Sequence, residues 1–89
     1  MSIHWDVWAP HLTSASRAPA WRAQLCDGGR HYGELFTLYD LNALADLVKG
    51  HDRLYPVYLC CYWSDRVERA ARAALERSGL QLAESCIPF

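Results

Sequence analysis

Apolar and polar residues alternate strictly along the first patterned segment of the chain, residues 3–9. Its odd-numbered positions are apolar, whereas the even-numbered positions carry His4, Asp6 and Trp8. A period of two is typical of a β-strand with one face turned to the core, and Pro10 ends the pattern. The segment is therefore predicted to be a strand whose second face is partly exposed.

Two further alternating segments, residues 21–26 and 31–36, are separated by the sequence Asp-Gly-Gly-Arg. Adjacent glycines tolerate the positive φ angles that tight hairpin turns require. The pattern predicts an antiparallel hairpin, which together with the first strand would form a meander.

Two segments show the helical spacing of apolar residues. The first follows Thr37, the expected N-cap, and stops at Gly50. The second begins after Ser64 or Asp65 as its cap and ends at Gly79. Both are predicted to be amphipathic helices that pack on a sheet.

Residues 55–63 are apolar or aromatic on both alternating faces, which predicts a central strand covered on both sides. Residues 80–87 follow as a last strand. The resulting order is β-β-β-α-β-α-β, with an N-terminal antiparallel meander and a C-terminal parallel β-α-β unit. The predicted fold class is α/β (α+β), a mixed sheet in a single domain over residues 1–89.

The composition excludes several classes of protein. A hydrophobic fraction of 52% is too high for a disordered chain, and a net charge of −1 gives no field that would favour binding to nucleic acid. No apolar run approaches the length of a membrane span, and no secretory signal is visible. A cytoplasmic location is expected.

In the second helix, Glu68 and Arg72 are spaced for an ion pair.

The spacing of the cysteines and histidines matches no known metal-ligand pattern, so no metal and no cofactor are expected. All four cysteines are predicted to be reduced: Cys26, Cys60, Cys61 and Cys86. The four histidines are predicted to be solvated, without a carboxylate to orient them: His4, His11, His31 and His51.

The order of elements resembles the ribonuclease H-like core, in which three antiparallel strands precede two helices alternating with parallel strands. Members that cleave nucleic acid hold divalent metal ions on carboxylates, and the matching positions here are Asp6, Asp40 and Asp65. The resemblance implies a metal-dependent nuclease or an inactive relative. Asp40 and Asp65 also stand where helix caps belong, so capping is the alternative role for both.

The chain has more aromatic residues than a core of this size can enclose, and its basic residues are almost all arginine. Exposed aromatic residues and arginines are typical of protein–protein interfaces. The expected function is therefore a non-enzymatic binding module for another protein or a second copy of itself. Its small size favours a phage or mobile-element inhibitor, anti-CRISPR-like or antitoxin-like. A small-ligand-binding domain is an alternative. The proposed docking residues are Trp8, Trp63, Arg66, Arg69 and Arg77.

Overall fold

The computed structural model describes residues 3–9, 20–61 and 64–83, which form a mixed four-stranded sheet and two helices. In chain order the elements are β1 (Ile3–Trp8), β2 (Trp21–Asp27), β3 (Arg30–Leu38), α1 (Leu41–Lys49), β4 (Val57–Cys60) and α2 (Asp65–Arg77). The strands lie in the order β3-β2-β1-β4. β2 is antiparallel to both of its neighbours, and β4 is parallel to β1. The predicted α+β class and the order of elements through α2 are confirmed.

The alternation of β1 decides which side chains enter the core. Trp5 and Val7 are each 1% exposed and pack in one cluster with Leu44 of α1 and Leu75 of α2. Successive side chains of a strand point to opposite faces, so the even-numbered residues of β1 lie on the face away from both helices. They are half-buried.

The predicted hairpin between β2 and β3 is confirmed. Gly28 and Gly29 have φ angles of +60° and +89°, and Asp27 pairs with Arg30 across them. Two consecutive residues at positive φ form the type I′ turn that matches the twist of the flanking strands. Further along, a register shift between Ala23 and Leu25 of β2 marks a bulge in this pair of strands.

Helix α1 starts later than its sequence predicts. Thr37 belongs to β3, where it pairs with Arg22, and the N-cap is Asp40, whose carboxylate accepts a 2.7 Å hydrogen bond from the Asn42 amide. Thr37 is unsuitable because the ladder with β2 continues to Leu38. At α2, Ser64 is the N-cap and accepts a hydrogen bond from the Val67 amide.

Strand β4 has a partner on each side, as a central strand should. It pairs with β1, and the Val57 amide also donates to the Gln81 carbonyl at 2.8 Å. A parallel bridge between Val57 and Leu82 represents the predicted last strand; the rest of that segment lies outside the described residues. Both helices pack on the face of β4 that carries Val57 and Leu59; on the other face Cys60 is buried and Tyr58 is half-buried, so among the described residues that face is only partly covered.

The predicted ion pair between Glu68 and Arg72 does not form. The Glu68 carboxylate instead accepts a hydrogen bond from the Cys61 amide at 2.8 Å, and Arg72 donates to the Ala83 carbonyl. Each side chain satisfies a backbone group next to a strand, which a contact between two solvated charges would not do.

Neither α1 nor α2 combines the length and apolar character that crossing a bilayer requires.

The prediction that every cysteine is reduced is wrong for Cys60, which is disulfide-bonded to a sulfur outside the described residues. Cys26 and Cys61 are buried and are not disulfide-bonded. Sequence reasoning tied the thiol state to a presumed reducing compartment and not to the geometry of the chain.

Truncating Leu59 to alanine is expected to destabilise the fold by about 2–5 kcal/mol, because the side chain is 0% exposed in the core and its loss leaves a cavity. Thermal or urea denaturation measures the effect. The control is Gln81→Ala on an exposed side chain. Equal melting temperatures for the two variants would contradict the placement of β4.

The second prediction concerns the disulfide at Cys60. Alkylation of the unfolded, unreduced protein should modify Cys26 and Cys61 and leave Cys60 unmodified, because only a free thiolate reacts. Peptide mass mapping before and after reduction identifies the labelled sites. Full labelling of Cys60 before reduction would contradict the bond.

Candidate functional site

The face of the sheet opposite the helices carries a group of polar side chains, here called the open-face cluster. It consists of His4 and Asp6 from β1, Cys26 from β2, His31 from β3 and Tyr58 from β4. His4 pairs with Cys26, Cys26 with His31, and Asp6 with Tyr58. Directly paired residues place their side chains on the same face, about 4.5–5.5 Å apart. The pairing of the strands therefore brings side chains from all four strands close together.

Asp6 lies at the centre of the open-face cluster. Its Oδ1 is 2.9 Å from His4 Nε2, and its Oδ2 is 2.6 Å from His31 Nε2. An ionised carboxylate has only acceptors, so each imidazole donates an Nε2–H to it. The side chain of Asp6 is 20% exposed, compared with 45% for His31. One carboxylate therefore orients two imidazole rings at a partly water-shielded position.

The thiol of Cys26 completes a set of three different donor atoms. Its sulfur, a ring nitrogen of His4 and a carboxylate oxygen of Asp6 all lie within 4.8 Å of one another. Cys26 is 3% exposed, so the thiol lies at the buried end of the group. Nitrogen, oxygen and sulfur donors of this kind are those that bind Zn²⁺ in proteins.

The spacing of these donors suits a tetrahedral ion. Zinc bonds of about 2.0–2.3 Å place neighbouring donors roughly 3.3–3.8 Å apart. The separation of 2.9 Å between His4 Nε2 and Asp6 Oδ1 would have to open by less than about 1 Å. The other two separations are each no more than 4.8 Å, so all three donors are near the spacing that a bound ion requires.

Aromatic rings and a glycine turn surround the open-face cluster. The Tyr58 ring lies 4.2 Å from the His4 ring, and the Trp8 ring lies 5.8 Å from the His31 ring. A cavity of about 320 Å³ opens here, lined by the five cluster residues together with Gly28 and Gly29. Gly28 and Gly29 contribute no side chain to this lining.

The three carboxylates that the ribonuclease H-like resemblance selects are not gathered into one group within the described residues. Asp6 groups at metal-ligand distance with His4 and Cys26. Asp40 caps α1, and Asp65 is exposed on the first turn of α2. The physical reason is that both helices pack on the face of the sheet opposite to Asp6.

The residues proposed for docking fall on two sides of the domain. Trp8 is half-buried on the open face. The three arginines are exposed on α2, roughly opposite its buried side at about 100° per residue. Trp63 lies outside the described residues. Trp8 and the arginines therefore do not form one continuous surface.

The prediction that the histidines lack an orienting carboxylate is wrong for His4 and His31, because both contact Asp6. His51 is half-buried, with its ring 5.6 Å from that of Trp5, and His11 lies outside the described residues. The sequence does carry one signal for the site, since His4 and Asp6 are two residues apart on a strand and so share a face.

The chain matches no protein family model, no curated protein sequence and no solved structure.

Proposed function

We propose that this protein is a zinc-binding domain whose ion is held by His4, Asp6 and Cys26. The observation that carries the proposal is that the donor atoms of these three side chains lie within 4.8 Å of one another on one face of the sheet. Each comes from a strand held in place by a backbone ladder, which makes the arrangement rigid.

The identity of the ion follows from the donors. A thiolate favours softer ions, imidazole suits zinc and its neighbours in the transition series, and hard cations such as Mg²⁺ prefer oxygen ligands alone. A Zn²⁺ ion bound to one thiolate, one carboxylate and one neutral imidazole gives a site with no net charge. This neutrality favours binding at a partly buried position, because an isolated buried charge is costly.

The outer contacts also support a metal site. In metal proteins, ligating groups are themselves held by hydrogen bonds from a second layer of residues. His31 donates to the Asp6 oxygen that does not contact His4, and Tyr58 packs against the His4 ring. Both contacts limit the orientations that the two ligands can adopt.

The function expected from the sequence, docking on another protein, is our second proposal, and it concerns the outer side of α2. Arg66, Arg69 and Arg77 are exposed there, with the small residues Ala70 and Ala73 between them. Asp65 and Glu76 are exposed beside them, so three guanidinium groups and two carboxylates leave one excess positive charge, which favours an acidic protein surface as the partner. The anti-CRISPR-like and antitoxin-like roles, the small-ligand alternative and the absence of enzyme activity stay predictions.

The nuclease alternative has no support from the described residues, because Asp40 and Asp65 occupy positions at helix starts away from Asp6.

A cytoplasmic location likewise stays a prediction. The disulfide at Cys60 favours an oxidising compartment, where such bonds persist.

The zinc proposal predicts one-to-one binding and a higher melting temperature. Zinc at a hundred times its dissociation constant stabilises a fold by about 2.7 kcal/mol, which for a domain of this size raises Tm by roughly 10–20 °C. Calorimetric titration with zinc and thermal denaturation measure the two effects. Cys26→Ser and Asp6→Asn should abolish both.

The matched controls are Cys61→Ser, which removes the other buried thiol that is not disulfide-bonded, and Asp46→Asn on the exposed side of α1. Both should bind zinc as the unmodified protein does. Equal zinc affinity in Cys26→Ser and the unmodified protein would refute the site.

The docking proposal predicts that the combined variant Arg66→Gln, Arg69→Gln and Arg77→Gln binds a polyglutamate peptide about tenfold more weakly at low salt. Three exposed charge contacts of roughly 0.5 kcal/mol each account for this factor, and added salt should reduce it. The control removes the same charge from three other exposed arginines: Arg22, Arg30 and Arg53. An equal loss of peptide affinity in both variants would show that binding depends on net charge alone, and it would contradict a specific docking surface on α2.

A further inference from the structure

We propose that the zinc ion keeps one coordination position free of protein ligands, filled by water and accessible to small monoanions from the cavity. This inference depends on the proposed zinc site and names the class of ligand that the site takes. It separates a site that exchanges ligands with solvent from a closed structural site, in which four protein ligands surround the ion.

The first step is the number of protein donors. Among the residues that the structure describes, three side chains bring their donor atoms within 4.8 Å of one another, and that group does not include His31. The Nε2 of His31 is 2.6 Å from Asp6 Oδ2, the oxygen that faces away from the His4 contact. His31 therefore contacts a ligand of the ion and acts as a positioning residue.

The second step is access from solvent. The cavity of about 320 Å³ is lined by all three donor residues, so an ion held by them borders it. One water molecule takes up about 30 Å³ in the liquid, so the cavity has room for a bound ligand and several waters. A Cβ built on Gly28 or Gly29 would meet no heavy atom of the described residues within 4 Å, apart from its chain neighbours, so this part of the lining is not packed against other groups.

The third step is charge. Zinc with the Cys26 thiolate, the Asp6 carboxylate and the neutral His4 imidazole carries no net charge, so a monoanion meets no net repulsion there. The His31 N–H donates to Asp6 and withdraws electron density from that ligand. A small anion with a nitrogen or oxygen donor therefore fits the free position by both size and charge.

The experiment uses the full chain loaded with Co²⁺, which takes the place of zinc and reports its coordination by visible absorption. We expect a sulfur-to-cobalt charge-transfer band that is lost in Cys26→Ser. Azide should then change the cobalt spectrum of the unmodified protein with saturation at one azide per ion. Co²⁺ in buffer with azide gives the background.

The variant His31→Gln separates the two possible arrangements. If His31 is a positioning residue, Co²⁺ affinity falls about 10–100-fold while the azide response persists. An azide response that appears only in His31→Gln would mean that His31 is the fourth ligand, and it would overturn the free position while leaving the metal site intact. Absence of Co²⁺ binding altogether would overturn the proposed function and this inference with it.

Discussion

Burial of Trp5 and Val7 beneath two helices is the constraint on which the rest of the structure depends. Both residues are 1% exposed, and both helices bury their apolar sides against them. Because side chains alternate along β1, this burial assigns His4, Asp6 and Trp8 to the opposite face. The core therefore determines where the polar chemistry of the molecule lies.

The elements that the sequence predicts correctly are those set by local chemistry. Two adjacent glycines determine the hairpin turn, and the alternation of β1 determines its faces. Predictions that depend on distant partners are less accurate. Thr37 has the side chain of an N-cap, but pairing with Arg22 on β2 keeps it in a strand. The apolar sequence of β4 predicts cover on both faces, but within the described residues both helices pack on the face of Val57 and Leu59.

The difference between local patterns and distant pairing also explains why only part of the open-face cluster can be predicted from the sequence. His4 and Asp6 share a face by local alternation, which can be read directly. Their meeting with Cys26 and His31 depends on the register between β1 and β2, and these strands are joined by a long connection with no turn signature. A shift of one residue would send Cys26 to the other face of the sheet. His4 and Asp6 supply one donor pair from a single strand, whereas the third donor, Cys26, joins them only across the ladder between β1 and β2, so the complete ligand set has no spacing along one element.

Stability alone does not account for the open-face cluster. A partly exposed contact between histidine and aspartate contributes about 0–1 kcal/mol, whereas strands gain more from β-branched and aromatic side chains that pack across the ladder. Asp6 is also among the poorer strand formers, yet it pairs on both sides within β1. A fold that needed only a sheet under two helices would place threonine or valine at such positions. The convergence of a carboxylate, two imidazoles and a thiol is therefore better explained by a ligand that all of them serve than by the requirements of folding.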